Sequence, residues 1–286
     1  MPAAPSGDEA RVRHPWRIVV AALLVSSPVL ADVYAGRRAL DAEDFATALQ
    51  ELRPAADAGV AEAQYLLGGM YASGHGVPRD PDEALRWIRN AAEQGYAPAQ
   101  ATLGNMFREG RDVPRDDAEA LKWLRLAAGK DDAEAQCSLG LMYREGRGVA
   151  RDDEEAKRLL RQAARKDIAR AQYGLGILLG EHEQGRPNYL ESRQWLRKAA
   201  EQGYAPAQLE LGLMSERGLG VERDPAKAHC WFALAAAQGE ESARKKEETL
   251  EGSMTPAQLS ESESCVSLWR IKHKRRGQAG PPPPAR

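Results

Sequence analysis

Residues 61–96 read AEAQYLLGGMYASGHGVPRDPDEALRWIRNAAEQGY, and the same 36-residue sentence returns without an insertion at Ala97, Ala133, Ala169 and Ala205. Each copy opens Ala-x-Ala-Gln, ending at Gln64, Gln100, Gln136, Gln172 and Gln208, and runs on to a Leu-Gly pair: Leu67-Gly68, Leu103-Gly104, Leu139-Gly140, Leu175-Gly176 and Leu211-Gly212. A fixed period of this length is the signature of a repeat array. Each copy reads as two helices. In the first, Ala63, Leu67, Met70 and Tyr71 fall at helical spacing and glycines such as Gly74 and Gly76 end it. The second starts at Asp80, Asp116, Asp152, Asn188 or Asp224, with Pro81 and Pro225 at the first helical position. Glu83, Glu119, Glu155 and Glu191 stand three places on, which predicts a capping box in four repeats. Position 27 of the repeat is Trp in four copies of five, and positions 31 and 32 are an Ala pair.

A single helical hairpin cannot cover its own apolar face, so neighbouring copies must stack into a solenoid with a cap at each end. Upstream, Asp44, Ala48, Leu52, Ala55, Ala56 and Gly59 fall on the second-helix frame, which predicts a half-repeat cap whose first helix is shortened to about 32–40, with a kink at Pro54. Downstream, Arg244, Glu247 and Glu248 replace Gln, Leu and Gly, so the array has ended. Thr255-Pro256-Ala257-Gln258 forms another capping box before a last helix carrying Leu259, Val266 and Trp269. The expected organisation is an N-terminal segment (1–31), capping helices (32–60), five repeats (61–240), C-terminal capping helices (241–270) and a basic, Pro-rich disordered tail (271–286).

Composition agrees with an all-α chain. Among 286 residues, Val, Ile and Thr together supply only 21, too few for a large sheet. With 40 Lys or Arg against 42 Asp or Glu, the formal charge of −2 argues against nucleic acid as a partner. At the N-terminus, Arg11, Arg13 and Arg17 precede the apolar run IVVAALLVSSPVLA (18–31). This is a secretory signal pattern with Val29 and Ala31 suited to the −3 and −1 sites, and an uncleaved inner-membrane anchor facing the periplasm is its alternative. The expected location is the periplasm of a bacterial-type cell. The tail, RIKHKRR (270–276) followed by GQAGPPPPAR, reads either as a weak sticker for an anionic envelope surface or as a solvated terminus.

The sentence AxAQxxLGxxYxxGxGVxxDxxxAxxWxxxAAxxG resembles the Sel-1-like repeat, a relative of the tetratricopeptide repeat, over 180 residues in five copies. The resemblance implies a right-handed α-solenoid of antiparallel helix pairs that holds a protein or peptide partner, without cofactor or catalysis. It also implies a concave wall built from the second, fifth, ninth, twelfth and thirteenth places of each first helix. Carried onto this chain, those places include Tyr65, Asn105, Arg108, Arg144, Arg170, Tyr173, Ile177, Leu213 and Arg217. Tyr and Arg are enriched at interface hot spots, whereas packing between repeats or simple solvation are the plainer roles for the same residues. The Gln and Trp columns read as structural.

Motifs that carry chemistry fail one by one. His182-Glu183 begins a zinc-binding HExxH, but Arg186 stands where the second His belongs. The Gly-x-Gly pairs at 174–176 and 218–220 lack the third glycine and the preceding strand of a dinucleotide site. A cell-envelope hydrolase would have to assemble its acid and base across repeats. A β-lactam-binding subgroup of the resembled family carries a cysteine pair in each repeat, and this chain has three cysteines in all. Pairing of Cys230 with Cys265 is one alternative, because the last helix folds back near the fifth repeat, and it would leave Cys137 free.

Overall fold

The computed structural model describes residues 27–181 and 187–278, and among them every regular element is an α-helix. In chain order these are α1 (Ser27–Asp41), α2 (Phe45–Asp57), α3 (Ala61–Ser73), α4 (Pro81–Glu93), α5 (Ala97–Glu109), α6 (Asp117–Ala128), α7 (Ala133–Glu145), α8 (Asp153–Arg165), α9 (Ala169–Gly180), α10 (Tyr189–Glu201), α11 (Ala205–Arg217), α12 (Pro225–Ala236), α13 (Glu241–Glu251) and α14 (Pro256–Gln278). Each repeat is a pair of antiparallel helices of solenoid type. The chain divides into two units, one ending at Leu103 and one beginning at Gly104.

The same few contacts build every pair. A Cβ built on Gly68 would stand 2.8 Å from Ile88 Cγ1, and one on Gly104, Gly140 or Gly176 would stand 2.7, 2.9 or 2.7 Å from Cγ of Leu124, Leu160 or Leu196. The glycine therefore lets the two helices of a repeat approach until a large side chain from the second lies on the backbone of the first. Leu67 and Leu175 are fully buried around that contact, as are the pairs Ala91-Ala92, Ala163-Ala164 and Ala199-Ala200. Each such Leu contributes about 2 kcal/mol by leaving water. The Gln column ties repeats together. Gln64, Gln172 and Gln208 donate through Nε2 to the carbonyls of Ala56, Ala164 and Ala200, and accept at Oε1 from Gln94, Gln202 and Gln238.

In the first unit the N-terminal cap differs from expectation. Helix α1 is not shortened, and runs 15 residues from Ser27. What is short is the turn, which passes from Asp41 to Phe45 through a left-handed Glu43 (φ 58°). Shortening the turn shifts the first-helix register, so Gly36 takes the place of the repeat glycine, with Leu52 Cγ 2.5 Å from where its Cβ would be. The site expected for signal cleavage, after Ala31, falls inside α1, and residues 1–26 of the expected signal segment lie outside the described residues. Helix α2 continues through Pro54 into its last turn, where the Ala58 N–H bonds to the Pro54 carbonyl.

The second helices begin where expected, with the side chains of Asp80, Asp116, Asp152, Asn188 and Asp224 accepting backbone N–H groups of the first turn. The reciprocal half of the capping box is not made in the repeats. The N–H of each capping residue goes instead to the carbonyl of the preceding helix, as Asp80 to Tyr71, Asp116 to Phe107 and Asp152 to Tyr143. The glutamates are thereby released to bond Arg86, Trp123, Arg158 and Trp195. Thr255 and Gln258 do form the complete box, with Thr255 N–H on Gln258 Oε1 and Gln258 N–H on Thr255 Oγ1.

At the C-terminal end of the second unit, α14 lies on α12, where Cys230 and Cys265 form a disulfide with a Cα–Cα distance of 6.1 Å. His229 Nδ1 lies 2.8 Å from Ser262 Oγ beside it. Residues 271–278, expected to belong to a disordered tail, are instead the end of α14, which continues to Gln278. Its extension is held by His273, whose ring stacks on Trp269 and whose Nε2 lies 2.5 Å from the Glu201 carbonyl oxygen. Residues 279–286 lie outside the described residues, as do the HExxH-like start and most of the divergent turn of the fourth repeat (182–186).

Candidate functional site

First helices carry the residues singled out above. In the first unit, Tyr65 stands on α3 between two repeats. Its ring lies 5.5 Å from that of Tyr96, and its hydroxyl accepts from Thr102 Oγ1 at 3.4 Å. In the second unit, Asn105 and Arg108 sit one turn apart on α5, with Arg108 Nε donating to Asn105 Oδ1 at 3.1 Å and Nη2 paired with Glu109. Burial pushes the Arg108 guanidinium below its ordinary pKa, against the pull of Glu109 and with the help of Arg170 and Arg147. Arg170 crosses from α9 to α7, donating to Ser138 Oγ at 2.9 Å and Glu134 Oε2 at 3.2 Å. Arg144 reaches Glu181 Oε1 at 2.9 Å.

Ile177 and Arg217 come together in the second unit with Glu181, the thirteenth place of the fourth repeat, and with residues that sequence reasoning passed over, Glu210 and Met214 among them. A pocket of about 340 Å³ is lined by Ile177 and Glu181 from the end of α9, Tyr189 from α10, and Glu210, Met214 and Arg217 from α11. Glu210 is half-buried and forms no hydrogen bond or ion pair among the described residues. Burial pushes its carboxyl above the usual range, while Arg217 and Arg144 pull it back. Burial and then the Glu210 charge push the Tyr173 hydroxyl up, and the Tyr173 ring lies 5.4 Å from Tyr204. Leu213 packs against the core around Phe232 and Leu250. A signal for Glu210 was present in the repeat frame. Position six is Leu66, Thr102, Ser138 and Gly174 in the other copies, and only the fifth puts a carboxylate there.

The arrangement is suited to recognition. It offers an aromatic surface, an apolar wall and both signs of charge on rigid helices, so little ordering accompanies binding. Among the described residues no group of three or more His, Cys, Asp and Glu converges as a metal site, and no helix is long and apolar enough to cross a membrane.

A family model described as Sel1 repeat matches residues 61–96, 97–132, 133–168, 169–204 and 205–240. Two solved structures illustrate the likeness. One is a protective antigen present in uropathogenic Escherichia coli strains and displaying an SLR fold, 36% identical, with a TM-score of 0.66 over 78% of this chain and 48% of that one. The present chain thus spans about half the length of that antigen. The other is a Sel1 repeat protein from Oxalobacter formigenes, 26% identical, with a TM-score of 0.72 over 83% of this chain and 96% of that one. None of the curated proteins compared matches the chain.

Proposed function

We propose, from the premise that this chain belongs to the Sel1 repeat family, that it is an exported, non-catalytic scaffold which binds a protein or peptide partner on the first-helix face of its second unit. The observation that carries the reading is the pocket around Glu210. A half-buried carboxylate without an ion pair, set in a pocket with Arg217 and Ile177 and close enough to Tyr173 to push its hydroxyl up, costs stability in the free protein and is repaid by a partner that brings a hydrogen-bond donor. A peptide segment presenting a basic side chain beside an apolar one fits that set. Export is supported by the Arg-led apolar segment at 18–31 and by the Cys230–Cys265 disulfide, a bond that persists in oxidising compartments.

Crosslinking capture from cells that make the protein tests the reading, with wild type set against Tyr173→Ala combined with Arg217→Ala. Partner capture by wild type and its loss from a variant of unchanged helicity sustain the proposal. Equal capture by both removes this face as the site. Mass spectrometry of the mature chain tests export separately, with Asp32 as the expected first residue.

A further inference from the structure

The third repeat breaks the Trp column. Positions 87, 123, 195 and 231 are Trp, and position 159 is Leu. In the first and fourth repeats the Trp ring packs between the Ala pair of the preceding segment and the first helix of its own repeat. Trp87 belongs with Ala55, Ala56, Leu67 and Tyr71, and Trp195 with Ala163, Ala164 and Leu175. At the same place in the third repeat the surface opens into a notch of about 500 Å³ floored by Ala128, Leu139, Tyr143 and Leu159. That volume lies within the ordinary range for ligand sites.

The groups that serve an indole elsewhere remain around the notch. Trp123 and Trp195 donate Nε1–H to Glu119 and Glu191, four residues earlier, at 2.9 and 3.3 Å. Glu155 holds that position in the third repeat and lines the notch. Arg86 and Lys122, one residue before Trp87 and Trp123, place their cations 4.4 and 5.1 Å from the ring centroids. Arg158 holds that position here and also lines the notch. Arg158 and Glu155 bond to each other at 2.6 Å, as Arg86 and Glu83 do beside Trp87, so the pair is held at the edge of the notch.

A separate departure adds a buried acceptor. In the first, fourth and fifth repeats a Gln at position 34 donates to the column Gln, but the third has Lys166, which turns to Asp131 instead. Gln136, 2% exposed and on the wall of the same notch, is left with its Oε1 unpartnered, while its Nε2 bonds to Asp131.

We infer that the notch on α6, α7 and α8 is a binding site for the tryptophan side chain of a partner polypeptide. The indole lies on Leu159 and Leu139 with Arg158 over its face and its N–H on Glu155, and Gln136 Oε1 takes an amide N–H of the partner backbone. The occupant is a tryptophan because four repeats of this chain have one at the equivalent position, and counterparts are kept of the acceptor that serves Trp123 and Trp195 and of the cation that serves Trp87 and Trp123. The site is distinct from the first-helix face, and neither proposal depends on the other.

The test uses the full chain and N-acetyl-5-fluorotryptophanamide, followed by ¹⁹F line broadening and calorimetry. Wild type is expected to bind it with a Kd on the order of 1 mM, as befits a fragment of this size. Leu159→Trp fills the notch with the chain's own indole and is expected to weaken binding at least about tenfold while leaving helicity intact. Should that variant fold poorly, Glu155→Leu serves instead, since the Asp152 cap uses only the backbone N–H of Glu155. In it, the preference for the probe over its indole N-methylated analogue disappears. No binding to wild type, equal binding to wild type and Leu159→Trp, or tighter binding of N-acetylargininamide than of the tryptophan probe would each overturn the inference.

Discussion

Arg147 reaches back over one repeat to Asp117, its Nη2 lying 2.6 Å from Oδ1, and donates as well to the Arg108 carbonyl at 2.7 Å. One side chain thus joins the turn of the third repeat to the second-helix start of the second repeat and to the end of α5. Hydrogen bonds from Arg115 and then Arg147 hold the Asp117 carboxyl down at about 2.

A depressed carboxylate stabilises the fold above its unfolded pKa, and that stability is lost as pH falls through the folded value. The window here runs from near 3.8 down to about 2. Such a shift corresponds to roughly 2 kcal/mol, which screening at this partly exposed site trims to on the order of 1 kcal/mol. Asp117→Asn should lower the urea midpoint at pH 7 and leave it nearly unchanged at pH 2. An equal loss at both pH values would mean that the pair does not set the acid sensitivity.

Adjacent glycines of α3 should respond in opposite directions. A methyl on Gly68 meets Ile88 Cγ1 at 2.8 Å and the Ala84 carbonyl at 3.2 Å, whereas one on Gly69 meets nothing within 4 Å. Gly68→Ala is therefore expected to destabilise by about 1–3 kcal/mol through overpacking. Gly69→Ala should stabilise by about 0.5–1 kcal/mol through helix propensity. Thermal unfolding of the two single variants checks the pair, and the same sign for both would refute the close-approach account of the glycine column.

Cysteine chemistry should divide cleanly. Reduction of Cys230–Cys265, or Cys265→Ser, is expected to cost about 3–4 kcal/mol by the loop-entropy relation and to free α14 from α12 first. Hydrogen exchange along α14 with and without reductant reads this out. Cys137 is fully buried and burial pushes its thiol up, so the oxidised native protein should show no thiol reactive toward alkylation until it unfolds. Rapid labelling of Cys137 in the folded protein would contradict that placement.

Glu210 should reveal itself by the pH dependence of its removal. Its folded pKa is raised, so its charge costs stability above that value and the cost vanishes as the group protonates. Glu210→Gln is expected to raise the melting temperature at pH 7 and to change it little at pH 4. Combined with weaker partner capture, this is the behaviour of a site kept charged for recognition. A destabilised variant at pH 7 would show instead that the carboxylate supports the fold.

The repeat frame was legible because its signals are local and redundant. The Asp N-caps, Pro81, the Leu-Gly pairs and the Ala pairs each mark one boundary or one face, and five copies restate them. Less was legible where one group has several possible partners. Glu119 and Glu191 were expected to bond the N-cap N–H, but that donor is already engaged by the carbonyl of the preceding helix and the glutamates turn to tryptophans. Gly36 escaped the frame because a shorter turn moves its column by several residues. The first-helix places carried over from the resemblance located Ile177, Arg217 and, at the thirteenth place of the fourth repeat, Glu181, but passed over Glu210, which completes the pocket they line.

Period, helix limits and the all-α class follow from spacing along the chain, because capping, helix periodicity and glycine turns are decided within a few residues. Pairing of Cys230 with Cys265, the choice each glutamate makes among its donors, the half-buried state of Glu210 and the notch beside Leu159 were decided only when helices packed. Each depends on which groups from distant segments arrive at one place and on what water is excluded there, and no local spacing records that.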